Sequence, residues 1–278
     1  MQDRYSITIL CAVLDCSRSG YYDWICLGRP EHKKFNGKIA LLVAQIHHSR
    51  PIYGIERIRM VLKRKYGLVI SNKTVHRYMK ILAIRSVIRS KKKYGPVKPH
   101  FTPNLIKRNF STTGPNQKWS VDVTYLNSKD GIEYLCAIKD MFDKTIVAHA
   151  ISNKNDNELV LSAVTKAIGK VRSPHRPGLI IHSDQGSQFG SVDYAEKLRK
   201  AAILRSLSFQ GTCVDNSPIE SFFSALKSEC IRQNRGRTRH ETRRLVETYI
   251  AFYHNERFQK GLNEMTPAEY RRHYYCSF

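Results

Sequence analysis

Three carboxylates fall where side chains do chemistry. Asp122 lies in an alternating segment that sets Trp119, Val121, Val123 and Tyr125 against Ser120, Asp122, Thr124 and Leu126, a period of two that predicts a β-strand. On the face opposite Trp119 and Val121, a buried charge is costly unless it is paired or binds a metal. Asp184 follows the apolar run Leu179, Ile180, Ile181 and precedes Gly186. That position is the carboxyl end of a strand, where open α/β sheets bind ligands, and Gly186 lets the chain turn sharply. Glu220 stands at the predicted start of a helix, just after Ser217 and Pro218, and helical spacing sets Glu220, Ser224 and Lys227 along one face.

Three such carboxylates suit Mg²⁺, with Mn²⁺ as an alternative, because Mg²⁺ takes oxygen ligands and binds through a few carboxylates plus substrate phosphate. Two ions per site, roughly 4 Å apart, serve in-line displacement at phosphorus. Each residue also has a plainer reading. A strand aspartate can pair with an arginine, Ser217, Pro218 and Glu220 match a capping box, and Asp140, Asp143 and Asp215 compete as ligands. His182 is expected to support Asp184 from behind rather than touch substrate. Trp119 is expected to pack in the core.

The chain has 278 residues and a formal charge of +24, far beyond the roughly 2 to 8 charges that solubility requires of a small domain. A polyanionic partner, nucleic acid, is implied. The charge is uneven: residues 1–112 hold 23 Lys/Arg against 5 Asp/Glu, and residues 113–278 hold 24 against 18. Neither a long apolar run nor a signal peptide is present, so a cytoplasmic, nucleoid-associated protein without a membrane partner is expected. The seven cysteines lack zinc-site spacing, and a site using His47 and His48 is the nearest metal alternative.

The elements that must position these residues divide the chain. Residues 1–30 read as a helical segment with two short helices. Residues 38–84 read as three helices of a helix-turn-helix domain, with Thr74, His76, Arg77 and Lys80 on the last helix as DNA contacts. On its second helix, Glu56, Arg57, Arg59, Lys63 and Arg64 are expected to face outward. Residues 85–112, with Lys91, Lys92, Lys93 and three prolines, read as an extended basic linker that tracks phosphates. From residue 113 to 278 the order strand, strand, strand, helix, strand, helix, strand, helix predicts a mixed five-stranded α/β sheet flanked by helices, the order of a ribonuclease H-like domain.

Three segments carry a resemblance: 115–125 (PNQKWSVDVTY), 182–189 (HSDQGSQF) and 215–229 (DNSPIESFFSALKSE). With 35 residues between Asp184 and Glu220, they closely resemble the insertion-sequence transposases of the retroviral integrase superfamily. The segments 53–59 and 73–80 are similar to that family's helix-turn-helix, and 253–257 and 262–270 to its C-terminal signature. Phe189 and His254 depart from the frequent tyrosine and asparagine. The resemblance implies an integrase-type catalytic core and a DDE polynucleotidyl transferase, with Asp122, Asp184 and Glu220 both catalytic and metal-binding and Lys227 on the DNA end. It also implies cleavage and strand transfer at terminal repeats, a homo-oligomeric synaptic complex and an upstream OrfA-type partner joined by frameshifting. The same carboxylates would serve a nuclease without strand transfer, and the basic N-terminal half alone would serve a non-catalytic DNA-binding regulator.

Overall fold

The computed structural model describes residues 6–13, 16–28, 36–87, 104–107, 109–171, 178–208 and 216–276. Two short helices come first, α1 (Ile7–Val13) and α2 (Arg18–Cys26), the second capped by Ser17. Three longer ones follow, each with a local signal at its end. Asn36 opens α3 (Gly37–Ser49) by accepting the backbone N–H groups of Lys38 and Ile39. Gly67, at φ 66°, closes α4 (Ile55–Tyr66) in the left-handed conformation. Ser71 opens α5 (Asn72–Ile81) by accepting from Thr74. Val43, Ile58, Leu62, Val75 and Tyr78 bury their side chains between the three.

The remainder runs β1 (Lys118–Ser128), β2 (Gly131–Asp140), β3 (Ile146–Ser152), α6 (Asn157–Lys170), β4 (Ile180–Ser183), α7 (Val192–Lys200), β5 (Leu204–Leu207), α8 (Ser217–Glu229), α9 (Arg239–Asn255) and α10 (Pro267–Cys276). The five strands form one sheet in the order β3-β2-β1-β4-β5. Pairs β1·β2 and β2·β3 are antiparallel, β1·β4 and β4·β5 parallel, so the mixed sheet expected from the element order is present. Trp119, Val121, Cys136 and Ile138 pack toward α6 and α7 on one face. On the other, Leu126, Leu135 and Ala137 meet Phe222 and Leu226 of α8 and Val246 and Tyr253 of α9. Among the described residues, no helix is long and apolar enough to cross a membrane.

That second cluster does not stop at the sheet. It runs on into α3, α4 and α5, so the helix-turn-helix region and the C-terminal helices share one core. Here the structure corrects the expectation for α4. Its basic residues face the C-terminal region: Arg57 bonds Glu229 at 2.8 Å, Lys63 bonds Glu264 at 2.8 Å, Arg64 bonds Glu269 at 2.7 Å and Arg59 also pairs with Glu264. Arg50 and Glu56 add pairs to Glu256 and Lys260. The periodicity of α4 separates polar from apolar positions but cannot show that the polar face meets a second acidic surface.

The linker expectation is corrected in part. Lys91, Lys92 and Lys93 lie outside the described residues, but from Asn104 the chain is docked. Ile106 is buried, Leu105 donates to Ser206 Oγ at 3.0 Å, and Lys118 Nζ bonds the carbonyls of Asn109 and Ser111. Burial of Ile106 gives this part of the basic stretch an apolar anchor on the core.

Candidate active site

The sheet opens where β1 loses its partner. β4 pairs with β1 only at Lys118, Trp119 and Ser120, so from Val121 onward that edge of β1 is unpaired with β4. Asp122 is the second residue past this point, largely buried, and its Oδ1 accepts the N–H of Val123 at 2.7 Å. Asp184 follows β4 directly. Its Oδ1 accepts the N–H of Gly186 at 2.9 Å, which turns the chain into a 3₁₀ turn over Ser187–Gly190. Gly186 has an ordinary φ of −54°, so its role is close approach rather than the sharp turn expected from sequence. A Cβ there would stand 3.0 Å from Gln188 Oε1 and 3.1 Å from Asp184 Oδ1.

Glu220 arrives on the first turn of α8, and the way that turn is anchored corrects the capping-box reading. The N-cap is Asn216, which makes no side-chain cap bond; Pro218 occupies the first turn. The Asn216 amide instead donates to the carbonyl of Val121 at 3.3 Å, tying the start of α8 to the residue beside Asp122. From the other side, Lys139 of β2 donates through Nζ to the Pro218 carbonyl at 2.7 Å and to Ser221 Oγ at 3.1 Å. Lys139 is almost wholly buried. That burial, then the nearby Lys144 and Arg257 charges, pulls its pKa down to about 7. Sequence reading passed over both anchors; the only signal was a lysine inside a buried strand, flanked by Ile138 and Asp140.

The three acids lie within range of one another's charge. Burial and then the Asp184 charge push Asp122 up to about 7, with Glu220 adding to the rise and the Val123 N–H and Lys227 opposing it. Glu220, exposed at the rim, is raised by partial burial and by Asp184. Lys227, two turns further along α8, is lowered by burial and Arg232 and raised by Asp122. Mutually repelling carboxylates are a donor set that suits a hard cation. Among the described residues, no three His, Cys, Asp or Glu side chains stand close enough to hold a metal ion as placed; the fit to a cation rests on the donor chemistry of the carboxylates and their mutual charge.

The competing acids have structural partners. Asp140 accepts from Asn116 and Phe142, Asp143 accepts from Thr145, and Arg271 bridges both. Asp215 lies outside the described residues. His182 is buried and its Nδ1 lies 2.9 Å from Ser206 Oγ, knitting β4 to β5. Trp119 is fully buried, as expected. On α5, His76 and Lys80 are exposed on one face. Thr74 is instead engaged with Ser71 at 3.0 Å, and the Arg77 guanidinium lies over the Tyr78 ring. His47 bonds the Arg85 carbonyl at 3.1 Å.

Family comparisons agree with this layout. An integrase core domain model matches residues 112–213, an HTH-like domain model residues 36–92, and a second integrase core domain model residues 220–274. The chain is 32% identical over 271 residues to the insertion element IS600 uncharacterized 31 kDa protein of Shigella sonnei, covering 96% of this chain and 98% of that one. It is 31% identical over 284 residues to transposase InsF for insertion sequence IS3A of Escherichia coli K12, covering 99% and 92%. Among solved structures, the HTLV-2 integrase catalytic core domain in complex with magnesium is similar at a TM-score of 0.46 and 17% identity, over 58% of this chain and 99% of that one. With relatives spanning nearly its whole length and integrase-core matches over residues 112–213 and 220–274, the chain belongs to the insertion-sequence transposases of the retroviral integrase superfamily.

Proposed function

We propose that this transposase cuts DNA at the ends of its insertion sequence and joins them to a target, with Asp122, Asp184 and Glu220 as the catalytic carboxylates. The observation that carries the reading is the position of Asp122: a largely buried carboxylate at the edge of β1 that β4 leaves unpaired, raised to about 7 by burial and by Asp184 and Glu220. Such a group is costly in isolation and becomes favourable once a cation shares it. Bound there, two Mg²⁺ or Mn²⁺ ions would neutralise the phosphate and activate the attacking oxygen.

The chain's own residues account for the rest. Asp122 and Asp184 fix two donors on adjacent strands, and α8 brings the third through Glu220, held by Asn216 and Lys139. Lys227 places its ammonium on the same side of α8 to hold the DNA end, while His76 and Lys80 of α5 face outward for duplex contact. Two displacements at phosphorus follow. Water attacks the phosphodiester at the element's end, one P–O bond forming as another breaks, and a 3′ hydroxyl leaves. That hydroxyl, losing its proton, then attacks a target phosphodiester in the same way. No covalent protein intermediate is required, since position and charge supply the catalysis. Pairing two element ends calls for a homo-oligomer, and the upstream OrfA-type protein is proposed to contribute to end recognition.

The test is nicking and strand transfer on labelled element-end DNA with Mg²⁺, using the parent and the Asp122→Asn, Asp184→Asn and Glu220→Gln variants. The proposal requires that each variant bind DNA and lose both reactions. Nicking without joining, even with the upstream protein fused, favours a hydrolytic nuclease. Equal biological function of parent and Glu220→Gln favours a regulator.

A further inference from the structure

Beyond Lys227 the surface continues into a groove that neither the carboxylates nor the helix-turn-helix uses. Its walls are the end of β1 from Tyr125 to Lys129, the last turns of α8, and the segment from Ile231 to Gly236. It encloses about 560 Å³, and its cations are Lys129, Lys227, Arg232 and Arg235, with no Asp or Glu among the described lining residues. At its mouth Tyr125 is 57% exposed, and the Lys227 ammonium sits 4.2 Å from the centre of its ring. By alternation Tyr125 belongs with Trp119 and Val121, but it lies past the last pairing of β1 with β4 and its ring stands in solvent.

We propose that this groove binds an unpaired strand of DNA leading away from the cleavage site, with one base stacked on Tyr125 and successive phosphates on Lys129, Arg232 and Arg235. An exposed aromatic ring beside a row of cations is the pairing that single strands require: bases stack on the ring, and the backbone follows the charge. A duplex presents no free base face to Tyr125, and an acidic protein segment would pair with the cations but offer no planar base to stack on the ring. Lys227, already polarised against the ring, joins the groove to Asp122, whose charge it feels. At a strand rise of about 3.4 Å, the seven steps from Asp122 to Lys129 span roughly 24 Å, enough for several nucleotides. The groove would thus hold a frayed strand so that the scissile phosphate reaches the carboxylates, an assignment that rests on the DNA-cutting function proposed above.

The experiment measures metal-free binding by the full chain, in chelator, of a labelled oligothymidine of about ten nucleotides and of a blunt duplex. Tyr125→Ala is expected to weaken oligothymidine binding about tenfold while leaving the duplex unaffected, with Tyr125→Phe close to the parent. Joint replacement of Arg232 and Arg235 by alanine should reduce the salt dependence for the single strand by about 1.4 in log–log slope. Because Tyr125 is exposed, an unchanged melting temperature checks that the variants fold. Parental oligothymidine affinity in Tyr125→Ala, or equal loss on both DNAs, overturns the groove. A parent that binds the oligothymidine as described but never nicks end DNA with Mg²⁺ would instead sink the catalytic reading and leave the groove standing.

Discussion

Arg57 of α4 donates to Glu229 at the end of α8 across 2.8 Å, joining the helix-turn-helix region to the helix that carries Glu220. Glu229 is almost fully buried and also receives two bonds from Arg257 and one from Tyr249. Glu229→Ala should therefore cost about 3–5 kcal/mol, since it strands Arg257 in a buried site. Arg57→Ala, which leaves the other partners in place, should cost about 1–2 kcal/mol. Urea unfolding of both variants settles the order; equal losses would show that Arg257 does not depend on Glu229.

Asp122 weakens the metal-free fold. Its folded pKa, about 7, lies above the ordinary carboxylate value because of burial and the Asp184 charge. The penalty is absent well below the ordinary value and grows as pH rises toward 7 and above. Asp122→Asn should stabilise the metal-free protein at pH 8 by about 1–3 kcal/mol. Mg²⁺ should raise the melting temperature of the parent and leave this variant nearly unmoved. Calorimetry with and without Mg²⁺ checks both; a less stable Asp122→Asn would contradict the repulsion.

Lys139 is expected to matter more for rate than for stability. Its folded pKa is lowered to about 7 by burial and by Lys144 and Arg257, so stability rises with pH between about 7 and the ordinary lysine value. Lys139→Met removes that dependence and leaves the fold near neutral, but frees the Pro218 carbonyl and Ser221. Nicking at saturating DNA should fall by about 10- to 100-fold, as expected for small misplacement of a catalytic group. A variant with parental turnover would remove Lys139 from the positioning of Glu220.

His254 should give the protein an acid-sensitive range. It accepts the N–H of Ile146 at 2.9 Å and is held to a pKa of about 4, first by burial and then by Lys170 and Arg271. Unfolding lets it take a proton, so its contribution is complete above pH 6.5 and is lost as pH falls toward 4, by at most about 3 kcal/mol. His254→Asn should flatten the stability profile in that interval. Denaturation midpoints across it provide the measurement.

Alternation around Asp122, the apolar run before Asp184, the start of α8 and the spacing of the family motifs are local or linear properties, and the amino-acid sequence by itself determined them. The order of strands and helices follows for the same reason, and the three acids became candidates on that ground. Tertiary structure decided what depends on partners distant in the chain. Arg57, Arg59, Lys63 and Arg64 read as free charge until Glu229, Glu264 and Glu269, some two hundred residues later, close on them. Asp140 and Asp143 left contention only when Arg271 reached them. Tyr125 alternates with Trp119 and Val121 in the sequence, yet it stands exposed beyond the last pairing of β1 with β4. Periodicity reports which face of an element is apolar, whereas pairing of charges and the end of a strand's cover are set by how far neighbouring elements extend.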